Sequence, residues 1–224
     1  MTPSPMADSP ATLIRPYEPR DRSAVRQICC DTADRGSPVE HFFRDREVFA
    51  DVLMNYYTDH EPRSVWVAEH AGQVIGYLAG CVDSRRYGWM MAWHVVPRTM
   101  MKAARRGTLL SRDSLQLCWA GFQTWLRGGW LKQVPLDRYP AHLHLNLLGS
   151  FRGQGIGWRL VERFLEQARA SGHQGIHVSV RADNPPSCRF FERMGFTELN
   201  RCPVTFPMNG SYGVHETVIY GKSI

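Results

Sequence analysis

Residues 142–157 read HLHLNLLGSFRGQGIG, and this stretch decides the fold. Leu143, Leu145 and Leu147 alternate with His142, His144 and Asn146, the period-two pattern of a strand with one apolar and one polar face. Gly153, Gly155 and Gly157 follow at every second position, after which Ile156, Leu160, Val161, Phe164, Leu165 and Ala168 recur at helical spacing. The inferred order is strand, glycine turn, helix. Glycines let the backbone turn sharply and approach a ligand, and the first turn of the helix leaves N–H groups without partners. Such an end suits an anion, above all a phosphate. A glycine turn without a ligand is the alternative, because short glycine motifs recur by chance.

The rest of the chain limits the choices. Its 224 residues fit one large domain over residues 12–224, preceded by a Pro- and Ser-rich tail over residues 1–11 that reads as disordered. That tail has neither a basic nor an apolar region, so it is no signal peptide or membrane anchor. The formal charge of +6 favours a polyphosphate ligand. No run of five Lys or Arg exists to suggest a nucleic-acid partner. The six cysteines form no C-x-x-C pair, which points to reduced thiols in a cytoplasmic protein.

Working outward, residues 12–15 read as a strand, followed by a helix with Asp21 as its cap and by a second helix over residues 44–57. Residues 64–69 and 73–82 are β-rich runs separated by His70-Ala71-Gly72, a hairpin. Residues 83–134 read as a helical insertion holding five of the seven tryptophans. Burial preference packs those aromatics into a local core; a lid over a substrate pocket and a homodimer interface are the other readings. Charges at Arg112, Asp113 and Arg127 exclude a membrane span there. Residues 175–180 complete a β-α-β unit, a short helix covers 187–194, and runs at 196–199, 204–206 and 214–220, divided by Asn209-Gly210, end the chain.

Two motifs resemble those of the GNAT superfamily of acyl-CoA-dependent N-acyltransferases. Arg152-Gly153-Gln154-Gly155-Ile156-Gly157 matches its glycine signature. Asn184, with Cys188 where Ala is usual, Phe191 where Tyr is usual, and Gly195-Phe196, matches its later pattern. Residues 137–145, DRYPAHLHL, are similar to bacterial relatives of the acetyltransferase-like C-terminal domain of O-GlcNAc hydrolase. The resemblance implies an α/β (α+β) fold: a mixed, mainly antiparallel sheet of about seven strands flanked by helices, with the insertion between strands 3 and 4. It also implies acetyl-CoA as cosubstrate. Backbone N–H groups of Gly153, Gln154, Gly155, Ile156, Gly157 and Trp158 would cradle the pyrophosphate, with Arg152 near the phosphates. Leu145 and Leu147 would pair with the pantetheine arm, and Asn184, Ser187 and Phe191 would line the other side.

Acyl transfer to an amine needs a proton acceptor, an oxyanion donor and a proton for the leaving thiolate. His144, His142 and Asp137 are the candidate bases, and Asn146 shares the histidines' face. A packed, hydrogen-bonded histidine is the alternative. By resemblance the oxyanion donor is a backbone N–H of residues 145–147. The thiolate's usual Tyr is absent, because Phe191 has no hydroxyl; Ser187 or water could substitute. Cys188 as a nucleophile is disfavoured in a helix. His-x-His lacks a third ligand of metal-site spacing, and neither Rossmann nor P-loop spacing is present. The expected function is acetyl transfer to an amine of a small molecule or a protein lysine; a catalytically inactive acetyl-CoA-binding module is the alternative.

Overall fold

The computed structural model describes residues 11–129, 134–208 and 211–224, without the side chains of 207, 208, 211 and 212. All but one residue of the expected tail, Trp130 and the Asn209-Gly210 turn lie outside the described residues. The alternating residues around His144 form the middle strand of a seven-stranded sheet. The strands are β1 (Leu13–Pro16), β2 (Val65–His70), β3 (Gln73–Cys81), β4 (Ala141–Leu147), β5 (Gly175–Arg181), β6 (Thr197–Met208) and β7 (Ser211–Ser223). Their order is β1-β2-β3-β4-β5-β7-β6, and every pairing is antiparallel except β4 with β5. The mixed, mainly antiparallel sheet and the insertion between the third and fourth strands are both as expected.

β4 behaves differently on its two edges. It pairs with β3 from Gly76–Leu147 to Cys81–His142, but with β5 only at Ala141–Ile176 and His142–His177. Beyond those two pairs the parallel strands part. The crossover joining them is α6 (Ile156–Ala170), whose Ile156, Leu160, Val161, Phe164, Leu165 and Ala168 are buried on the sheet face that carries Leu78 and Leu143. α7 (Pro185–Arg193) lies on the same face through Phe191. The opposite face is covered by α1 (Arg22–Asp31) and α2 (Arg46–Asn55), with Val25, Ile28 and Met54 against Val65, Val67 and Tyr77. Cross-strand neighbours share a face, so the β4–β3 register sends Leu143, Leu145 and Leu147 towards α6 and His142, His144 and Asn146 towards α1.

Local chemistry departs from the sequence reading at four places. Asp21 precedes α1 without capping it, because its carboxylate is taken by Arg15 at 2.7 and 2.8 Å and by the Glu18 N–H at 2.8 Å. α2 starts later, capped by Asp45, and runs on into a π turn over Tyr56–His60. The runs at 196–199 and 204–206 are one strand, β6, which absorbs a bulge between Glu198 and Asn200. As the sheet's edge it also tolerates Pro203, whose missing N–H costs no ladder bond there.

The fourth departure concerns the insertion's aromatics. α3 (Ser84–Met90) continues through a π turn (Met91–Val95) into α4 (Val96–Arg105), followed by α5 (Arg112–Leu126). Instead of forming a local core, Trp89, Trp93, Trp119 and Trp125 are 56, 70, 49 and 53% exposed. The insertion packs inward through smaller residues, Val95 from the π turn, Thr99 and Ala103 from α4, and Ala120 and Thr124 from α5. Once those face the body, the aromatic face points out.

Gly80 marks the tightest contact between sheet and helix. A Cβ there would lie 2.3 Å from a Phe164 ring carbon, and Phe164 is fully buried. Gly80→Ala is expected to lower stability by about 1–3 kcal/mol through overpacking. Urea denaturation checks this, and adding Phe164→Leu should recover part of the loss.

Candidate active site

Both ends of the β4–β5 parting carry a helix N-terminus. After β4, a turn over Gly149–Phe151 leads to Gly153 at φ 77° and Gly155 at φ 75°, a left-handed conformation open to glycine but costly for other residues. A Cβ at either glycine would meet nothing within 4 Å, so conformation rather than crowding demands glycine here. Residues 152–155 are exposed, and α6 begins at Ile156. The first four N–H groups of such a helix have no helical acceptor and point outward as anion donors. Gly157 lets this end come close to its neighbours: its Cβ position is 3.4 Å from Leu145, 3.5 Å from Leu147 and 3.5 Å from Phe190.

On the far side, Asn184 caps α7 by accepting from the Ser187 N–H at 3.4 Å, with Pro185 and Pro186 opening the helix. Gly157 thus brings the start of α6 against Leu145, Leu147 and Phe190 of α7, and Asn184 and Ser187 stand where β5 passes into α7. Arg152 is exposed and its Nε donates to the Leu147 carbonyl at 3.1 Å. Trp158 donates to Glu162 at 2.6 Å. Phe191 is 5% exposed, with ring centroids 5.0 Å from Phe190 and 5.3 Å from Phe196. It is a packing residue with no hydroxyl to offer.

The polar face of β4 separates its two histidines. His142 is buried, with Nε2 2.8 Å from the Tyr57 hydroxyl and Nδ1 2.7 Å from Ser84 Oγ. Ser84 donates its one proton to the Pro140 carbonyl at 2.6 Å. Proton counting thus makes Ser84 the acceptor from His142 Nδ1–H and Tyr57 the donor to Nε2. Both nitrogens are used. Burial, followed by the neighbouring His144 and His177, pushes the His142 pKa well down.

His144 is exposed beyond the last β4–β5 pair, and no described residue hydrogen-bonds to its ring. Tyr57 meets it edge-on at 5.6 Å between centroids. Burial by the cleft walls, with a smaller contribution from His177, pushes its pKa down to about 4. The residue as a whole is exposed, on the part of β4 that has no β5 partner. The imidazole is neutral at physiological pH, with a free nitrogen lone pair.

The other candidates have different surroundings. Asn146 donates to Thr32 Oγ1, which itself donates to the Ile28 carbonyl at 2.7 Å, tying β4 to the end of α1. Asp137 stands on the surface with its side chain 88% exposed, ion-paired to Arg85 at 2.6 Å. It makes no described contact with His144. Among the described residues, no group of three or more His, Cys, Asp or Glu is arranged to hold a metal.

Several residues around the gap were invisible to the sequence reading. Tyr57, Ser84 and His177 surround His142, and His177 Nδ1 lies 2.8 Å from the Tyr139 carbonyl. A tight turn after α1, with Arg35 at φ 54° and Gly36 at φ 99°, reaches across to the end of β5. Asp34 pairs with Arg181 at 3.1 Å and Arg35 with Asp183 at 3.4 Å, and Arg181 holds the Asp183 carboxyl below its usual range. Asp34 and Arg181 are 147 positions apart, and no local spacing announces such a pair.

Residues 129–196 match the acetyltransferase (GNAT) family model. The mycothiol acetyltransferase of Corynebacterium glutamicum (strain R) is 34% identical over 68 residues, which are 30% of this chain and 23% of that protein. The protein O-GlcNAcase of Rattus norvegicus is 21% identical over 214 residues, 94% of this chain and 22% of that protein. The match therefore spans less than a quarter of either relative's length. The crystal structure of SsHAT superposes with a TM-score of 0.69 at 28% identity, covering 96% of this chain and 98% of that chain.

The histidine cluster makes stability depend on pH. His142, His144 and His177 all titrate below the ordinary value of 6.5 in the folded protein. Below that value the unfolded chain binds more protons than the folded one, so acid favours unfolding. Stability should be full above pH 6.5 and fall as pH drops toward about 4. Urea midpoints at pH 7.5 and pH 5 check this, one above and one below the unfolded histidine pKa of about 6.5. His142→Gln should flatten the difference, and equal wild-type midpoints would contradict the account.

Proposed function

We propose that this chain, which carries a GNAT acetyltransferase domain, moves an acetyl group from acetyl-CoA to a primary amine, either of a small molecule or of a protein lysine. The observation that carries the proposal is a neutral, exposed His144 with an unengaged ring, on the strand whose edge opens beside the two helix N-termini. The N–H groups of residues 153–158 suit a pyrophosphate, and the excess of basic residues favours its approach. The six free cysteines fit a reducing, cytoplasmic setting. No helix among the described residues is long and apolar enough to cross a membrane.

In this reading each residue has one task. Backbone groups of Leu145 and Leu147, on the edge that β5 leaves, orient the pantetheine arm and offer an N–H to the carbonyl oxygen as it gains charge. The His144 imidazole takes the proton from the attacking amine, directly or through one water, as the N–C bond forms. His142 and Asn146 are positioning residues that fix β4 against α1, α3 and the turn after α2. The C–S bond then breaks, and the thiolate takes its proton from water, since Phe191 has none to give.

Phe191 also favours a second reading, an acetyl-CoA-binding module without turnover. Incubation with acetyl-CoA and a panel of amines, following free thiol, separates the two. Amine-dependent thiol release is expected, and tight binding without release would leave only the module. His144→Gln should lower kcat by about 10²-fold, in the range of a general base, with acetyl-CoA affinity unchanged. Phe191→Tyr should raise kcat if the missing hydroxyl limits the rate.

A further inference from the structure

The outward side of α5 has the wrong chemistry for a helix facing water. Its inner side is small: Ala120 and Thr124 are buried, and Thr124 Oγ1 accepts from the Thr205 N–H of β6 at 2.9 Å. Its outer side carries Leu115, Cys118, Trp119, Phe122, Trp125 and Leu126, all exposed and none charged. The large ones among them are 45 to 62% exposed. Trp119 and Phe122 rings lie 5.6 Å apart and Phe122 and Trp125 stack at 5.9 Å. A surface helix normally places polar residues there. Two successive heptads here repeat the same three apolar positions, 115/118/119 and 122/125/126, the spacing of a helix packed against another helix.

We propose that a second copy of this chain covers this row, the two α5 helices crossing antiparallel about a twofold axis. The row is close to self-complementary. Leu115 and Leu126 are equidistant from its midpoint, as are Trp119 and Phe122, so an antiparallel copy sets each against the other, as an isologous contact requires. No charge inside the row repels a like row. Six half-exposed side chains offer on the order of 500 Å², in the upper part of the range for the largest, often functional, patch of a monomer, and flanking residues bring it toward the ~800 Å² per partner of a standard interface.

Sedimentation over a range of concentrations tests the pairing, combined with the labelling rate of Cys118, the one exposed cysteine. The wild type should sediment at twice the chain mass and dissociate on dilution, with Cys118 labelled at least tenfold more slowly in the dimer. The double variant Trp119→Glu, Phe122→Glu changes only outward side chains. It should be monomeric with an unchanged far-ultraviolet dichroism spectrum and rapid labelling. A wild type that is monomeric at all concentrations overturns the proposal, as does a dimer that persists in the folded double variant. Open-ended assemblies in place of a dimer overturn the twofold arrangement.

Discussion

The parting of β4 from β5 is the constraint on which the rest of the site depends. Two residue pairs join these strands, at Ala141–Ile176 and His142–His177, and beyond them the facing backbone edges have no strand partner. Unpaired backbone groups inside a protein need water or a ligand. The chain leaves β4 through the glycine turn into α6 and leaves β5 through Asn184 into α7. Both helices therefore follow the parted strands; α6 offers free N–H groups there, whereas α7 opens with Pro185 and Pro186 and its Ser187 and Cys188 N–H groups are taken by Asn184. Hydrophobic packing holds this arrangement open: α6 is anchored by Phe164 over Gly80, while α1 and α2 fix the opposite face.

In the proposed reaction the same strand separates support from chemistry by a spacing of two residues. His142 faces the core near the closed end, where Tyr57 and Ser84 take both ring nitrogens. His144 faces the same way but lies where β5 has gone, so its ring meets the cleft. Identical side chains thus acquire different surroundings from position alone, and the proposed function gives them different duties. Both are kept neutral by their surroundings, and that neutrality costs stability in acid while leaving His144 able to accept a proton.

Much of this was legible in the sequence because the relevant signals are local. Alternation at residues 142–147, the glycines at 153, 155 and 157, and the helical period after them fix strand, turn and helix within thirty residues. The short helix expected over 187–194 is α7, which starts two residues earlier because Pro185 and Pro186 belong to its first turn. What was not legible depends on contacts distant in sequence. Tyr57 reaches His142 across 85 positions and Asp34 reaches Arg181 across 147. Asp137 has the right chemistry for a base, yet the fold sets it in solvent beside Arg85. Burial preference alone put the insertion's tryptophans inward. The small residues Ala120 and Thr124 determined which side of α5 faces the body, and that choice follows from packing rather than composition.

The claim that the opened edge of β4 and the start of α6 form one binding slot is tested most directly by amide hydrogen exchange with and without CoA. Bound CoA should slow exchange at residues 145–147 and 153–158 together, and leave the outer face of α5 unchanged. Protection confined to other parts of the chain, or none at saturating CoA, would contradict the account.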